Sequence, residues 1–221
     1  MTRHSRSRFL RYAAPAVAMA ASPMLALATS YTVPGGAILD NTSLTLTFPV
    51  VDPGNVVSLD LTMTNLTHSW AGDLIATLQA PDGTVADIMR RPGATSSSGL
   101  GDSSNFGGTY KFIDSGTDPI PPLVALDTNG VLASGNYWAT TLGTVTNAGN
   151  KVNLNLTFGG HGAAGLWTLT ISDNAGGDTG SIESATLNVN AGVPEPATVS
   201  VLGLAGFGLL VRRRRSVVSQ N

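Results

Sequence analysis

An antiparallel β-sandwich is the fold this 221-residue chain predicts, and three observations predict it. Apolar residues recur at alternate positions through much of the interior, the pattern of strands with one dry face. No window between the two hydrophobic extremities carries a helical stripe, whereas Thr, Val and Asn abound. Turn signals punctuate the pattern at Asp52-Pro53-Gly54, Pro81-Asp82-Gly83 and Asn174-Ala175-Gly176-Gly177.

The elements follow in chain order. Arg3, Arg6, Arg8 and Arg11 precede a small-residue apolar stretch, Ala13 to Leu27, broken by Pro15 and Pro23. With Ala26-Leu27-Ala28 supplying small residues for signal peptidase, residues 1–28 read as a signal peptide and the mature chain starts near Thr29. Leu44, Leu46, Phe48 and Val50 form one dry row, and Val57, Leu59, Leu61 and Met63 a second. The Ser- and Gly-rich stretch from Pro92 to Gly108 predicts a long loop. Val152, Leu154, Leu156 and Phe158 predict another strand, followed by Trp167, Leu169 and Ile171, and last by Ala185, Leu187 and Val189. Trp167 alternates inward with its neighbours and reads as a core anchor whose burial contributes about 2–3 kcal/mol.

The tail is the stretch that says where the chain goes. Val193-Pro194-Glu195-Pro196 leads into the apolar run Val199 to Val211, and Arg212, Arg213, Arg214 and Arg215 close it. As a helix that run spans about 20 Å against a hydrocarbon core of about 30 Å, short for a permanent anchor. The order Pro-Glu-Pro, apolar segment, arginine cluster resembles the PEP-CTERM signal of exported bacterial proteins. The resemblance implies membrane contact through residues 193–221, then processing by an exosortase-type membrane enzyme, with a destination at the envelope, outer surface or extracellular matrix.

Between the two signals lie about 165 residues, enough for one domain, residues 29–192, with a sizeable core. The whole chain carries 12 Lys and Arg against 14 Asp and Glu. The domain itself keeps only Arg90, Arg91, Lys111 and Lys151 against 13 of the 14 carboxylates, a net charge of about −9. That charge argues against nucleic acid as a partner and favours cations or basic ligands. There is no cysteine, so the domain must be held by its core or by metal.

Two blocks narrow the fold. The first runs from Thr67-His68-Ser69-Trp70-Ala71-Gly72-Asp73-Leu74 through Ala80-Pro81-Asp82-Gly83-Thr84 to Met89-Arg90-Arg91-Pro92-Gly93. The second is Gly165-Leu166-Trp167-Thr168-Leu169-Thr170-Ile171-Ser172-Asp173-Asn174-Ala175, followed by Gly180-Ser181-Ile182. Together they resemble the P, or Homo B, domain of proprotein convertases and subtilisin-like proteases, with its His-x-x-x-Gly-Asp-Leu and Gly-x-Trp-x-Leu blocks. The likeness covers roughly Tyr31 to Val189 and departs from the family between Asp127 and Asn150, where only Gly135-Asn136-Tyr137 fits. It implies a jelly-roll-like sandwich that accompanies a separate catalytic domain, which this sequence lacks.

One metal site follows as an expectation. Calcium takes six to eight oxygens, which loop carboxylates at one end of a sandwich can supply. Asp102, Asn105, Asp114 and Asp118 surround the long loop, while Asp73 and Asp173 come from the two blocks. Some P domains bind calcium through loop aspartates, and that resemblance points first to Asp73. Zinc has only His68 and His161, since His4 leaves with the leader. No catalytic residue is assigned, for no Gly-x-Ser-x-Gly elbow surrounds a serine. The reading is a non-catalytic surface or matrix protein that binds protein or polysaccharide. An accessory to a separately encoded subtilisin-like protease and an unrecognised hydrolase are the alternatives.

Overall fold

The computed structural model describes residues 25–94, 99–117, 130–141 and 151–193. The expected leader up to residue 24, Asp118, and the tail from Pro194 through Arg212–Arg215 lie outside them.

The strands are β1 (Leu25–Ile38), β2 (Ser43–Val50), β3 (Asn55–His68), β4 (Leu74–Gln79), β5 (Val85–Arg90) and β6 (Phe106–Phe112), then β7 (Gly135–Tyr137), β8 (Ala139–Thr140), β9 (Lys151–Val152), β10 (Gly165–Asp173) and β11 (Gly180–Val193). Five of them form one sheet in the order β1-β11-β3-β6-β7, and four form the second in the order β2-β10-β4-β5. Every pairing is antiparallel except β6 with β7. This is the all-β sandwich that the alternation predicts.

The dry faces of the two sheets meet in one core. Trp167, Leu169 and Ile171 stand opposite Phe48, Leu46 and Leu44, while Leu187 and Val189 stand opposite Leu61 and Leu59. Trp167 is fully buried; its Nε1 donates to Ala163 O at 2.8 Å, and its ring meets Phe158 edge-on at 5.1 Å between centroids. The indole thus fills volume and leaves no polar atom stranded.

The structure corrects the sequence reading in three places. Leu154–Phe158 is a short helix, α1, instead of a strand. Leu154 and Phe158 satisfy period two and the i, i+4 helical spacing equally; Leu156, 82% exposed, is the residue that tells them apart. Asn153 caps α1 by accepting from Leu156 N at 2.8 Å, and both Asp114 carboxylate oxygens accept further first-turn amides, Leu154 N at 2.7 Å and Asn155 N at 2.9 Å. The segment then lies along β3, with Asn155 Oδ1 accepting from Leu59 N and His161 O from Val56 N.

Second, Val57 is exposed and Val56 takes the inward place, because β3 bulges against β11 between the pairs Ala191–Val56 and Asn190–Ser58. Third, the long loop ends sooner, since β6 opens at Phe106, whose ring packs edge-on against Tyr110 at 5.0 Å. A further bulge, between Met63 and Leu66, comes at Asn65, whose φ of 47° lies in the left-handed region. It shifts the inward row from Leu59, Leu61 and Met63 to Leu66 and His68.

Candidate functional site

His68 ends the inward row of β3, and Asp173 ends the inward row of β10 in the opposite sheet. The two rows bring imidazole and carboxylate together at one end of the sandwich, Nε2 to Oδ2 at 3.3 Å, with both side chains fully buried. His68 Nδ1 lies 2.8 Å from Trp70 O and 3.2 Å from Trp70 N, so both ring nitrogens face partners inside the chain. Asp173 Oδ1 accepts from Ala175 N at 3.1 Å and fixes the following turn. This pair is a clasp between sheets.

Asp73, 2% exposed, closes the short 3-10 turn Ala71–Asp73 that leads into β4. Burial, then the neighbouring carboxylates of Asp173 and Asp178, push its carboxyl up to about 6, against the opposing pull of His68 and Arg91. Arg91 is itself buried, donating Nη1 to Gly99 O and Nη2 to Asn174 O, each at 2.7 Å. Gly72 is needed for close approach, since a Cβ there would stand 2.2 Å from Leu100 O. The 99–104 segment lies against this turn, with Gly72 N donating to Asp102 O at 2.9 Å and Ala71 N to Ser104 O at 2.8 Å.

Of the five aspartates expected to hold calcium, Asp73, Asp102 and Asp173 share this end. Asp114 lies at the opposite end of the sandwich, where its carboxylate caps α1, so the predicted set is not one site. Asp102 Oδ1 accepts from Ser104 N at 2.7 Å and holds its own loop. Among the described residues no group of three or more His, Cys, Asp or Glu side chains is arranged to hold a metal ion.

Two further features were not legible as sites. Asp82 and His161, from separate turns, meet on the surface at 2.5 Å, and this hydrogen bond, with that from Thr84 N, lowers the Asp82 carboxyl to about 2. Thr84 Oγ1 also contacts His161 Nδ1, at 3.4 Å, so both partners crowd one ring nitrogen. A cleft of about 490 Å³ opens beside α1, lined by Ser58, Asp60, Asp114, Asn155, Asn188 and Asn190 among others, with no aromatic side chain among the described lining residues. Its polar groups largely serve one another: Asn188 Nδ2 donates to Asp60 Oδ1 at 2.5 Å, Ser30 Oγ to Asn188 Oδ1 at 2.6 Å and Lys111 Nζ to Asp60 Oδ2 at 3.1 Å.

A protein family described as the PEP-CTERM protein-sorting motif matches residues 192–215, so the motif starts within β11 itself. The chain is an all-β protein carrying that sorting motif, which implies export from a bacterial cell and processing by an exosortase-type enzyme. Among solved structures it is similar to the serine protease of Aeromonas sobria, at 19% identity and a TM-score of 0.43, over 80% of this chain and 28% of that one. A second structure, that protease in complex with its chaperone, aligns at 17% identity and a TM-score of 0.41, over 78% of this chain and 28% of the other. The chain therefore spans 28% of the length of each of these two solved chains. No curated protein matches it.

Proposed function

We propose that this chain is a non-catalytic exported protein whose sandwich, similar to a P domain, serves as a binding or structural module at the cell surface or in the extracellular matrix. The sorting motif carries the reading: it begins at Gly192, the last residue but one of β11, so strand and sorting signal are contiguous in sequence.

The residues of the two blocks support a scaffold role. His68 and Asp173 are sealed from solvent and satisfied inside the chain, where no substrate reaches them. Gly72 and Gly165 sit where neighbouring chain approaches closely, and Trp167 fills the core. The cleft beside α1 offers amides, hydroxyls and carboxylates of the kind that hydrogen-bond polysaccharide hydroxyls, without an aromatic platform for stacking.

The test is to express the full chain in a bacterium with an exosortase system and to map both termini by mass spectrometry in each cell fraction. Loss of residues 1–28 and of the arginine cluster from surface or released material is the expected result. A full-length chain confined to the cytosol overturns the reading. Recovery of the processed protein bound to a subtilisin-like protease would replace the surface role with that of a protease accessory.

A further inference from the structure

Asp52 is 7% exposed, and only one of its carboxylate oxygens is satisfied: Thr29 Oγ1 donates to Oδ1 at 3.0 Å, while Oδ2 is buried without a partner. A buried carboxylate oxygen left unpaired is costly, and a cation is its natural complement. The described cations are committed elsewhere. Arg90 pairs with Asp87, Arg91 with backbone carbonyls, Lys111 with Asp60 and Lys151 with Asp114 O.

Thr29 lies on the face of β1 that turns toward the core, in step with Tyr31 and Val33, and Tyr31 Oη accepts from Val51 N at 3.1 Å. The connection Val51–Asp52 is thereby held beneath the first residues of the domain. The bond that signal peptidase is expected to cut, Ala28–Thr29, is the one joining Thr29's own nitrogen. Hydrolysis there consumes one water, leaves a carboxylate on Ala28 and gives Thr29 a free α-amine, which is protonated at neutral pH. A threonine's α-nitrogen and β-hydroxyl are neighbours across one Cα–Cβ bond, and the hydroxyl is already on Asp52.

We propose that leader removal creates an ion pair between the new Thr29 α-ammonium and Asp52, and that Asp52 is a built receptor for the mature N-terminus. The proposal rests on the export reading and adds to it a cleavage position and a structural consequence. Only a chain beginning at Thr29 places its positive charge there; a start at another residue leaves an uncharged amide or no nitrogen at that point. The processed domain thus gains a contact that its precursor lacks.

The full chain, exported and processed by its host, is the material for the test. Mass spectrometry identifies the mature first residue, and an amine-acylating reagent applied near neutral pH reads the state of its α-nitrogen. Thr29 is the expected start, and its amine is expected to react at least about tenfold more slowly than in Asp52→Asn, the factor that corresponds to raising its pKa by one. Asp52→Asn should also lower the resistance of the processed chain to proteolysis more than that of a cleavage-blocked Ala28→Phe chain, in which only the Thr29 hydroxyl contact is at stake. A different mature start overturns the export boundary and the proposal together. A Thr29 start whose amine reacts equally fast in both proteins overturns the pairing alone. Should Asp52→Asn not fold, the labelling rate of the wild-type amine against pH decides: a midpoint above the ordinary value of about 8 supports the pair, and one at or below it overturns it.

Discussion

Asn65 controls which residues of β3 reach the core. Its left-handed backbone, φ 47°, inserts the step that carries Leu66 and His68 inward, and its Nδ2 donates to Glu183 Oε2 on the neighbouring strand. A β-branched side chain resists that conformation, so Asn65→Val is expected to cost about 1–2 kcal/mol and Asn65→Gly less, as measured by urea unfolding. Equal losses in the two variants would place the effect in the Glu183 contact instead. Asp73 yields a second prediction. Its carboxyl rises from the ordinary 3.8 to about 6 in the fold, so the folded chain holds this proton more tightly than the unfolded one. The stabilising contribution is complete below about pH 4 and lost as pH rises through about 6. Relative to Asp73→Asn, the wild-type thermal midpoint should therefore fall across that window; parallel curves would show that Asp73 is charged throughout. Strict alternation puts His68 on the wrong face, and only a left-handed residue two or three places earlier signals otherwise.

At the scale of elements, the strands with unbroken alternation were legible: β2, β10 and the end of β11 follow the rows Leu44–Val50, Trp167–Ile171 and Ala185–Val189 residue for residue. Helix α1 was misread because two apolar residues four apart fit either period. The local signals for a helix were present in Asn153 before it and Gly159-Gly160 after it, brackets that outrank a short alternating run. The calcium grouping failed for a related reason, since closeness in sequence to the 92–105 loop placed Asp114 at the wrong end of the molecule. Its role as a cap predicts that Asp114→Ala costs about 1–2 kcal/mol, and by the same amount in calcium or chelator. A loss seen only with calcium present would restore a metal to that carboxylate. Trp167→Ala should cost about 3–5 kcal/mol, because the indole vacates core volume beside Phe158 and strands Ala163 O.

On the scale of the whole molecule, β1 and β11 pair from Leu25–Val193 to Ile38–Gly180, so the leader and the sorting tail leave from one end. The His68, Asp73 and Asp173 clasp occupies the other end, about 45 Å away along strands of 14 residues at about 3.3 Å each. A domain held at the membrane by its tail would present the clasp end outward. Among the described residues the core runs from Ile38 to Ala191, all of it ahead of the Pro194-Glu195-Pro196 neck in sequence. Replacing that neck with Ala-Ala-Ala is therefore expected to leave the unfolding midpoint in urea unchanged while uncut precursor accumulates in the membrane fraction. Replacing Arg212 to Arg215 should likewise spare the fold, but by removing the charges that resist translocation it should release the uncut tail from its fixed orientation. A drop in stability with either variant would mean that the tail packs on the sheet, and the two hydrophobic extremities would then be parts of the domain they flank.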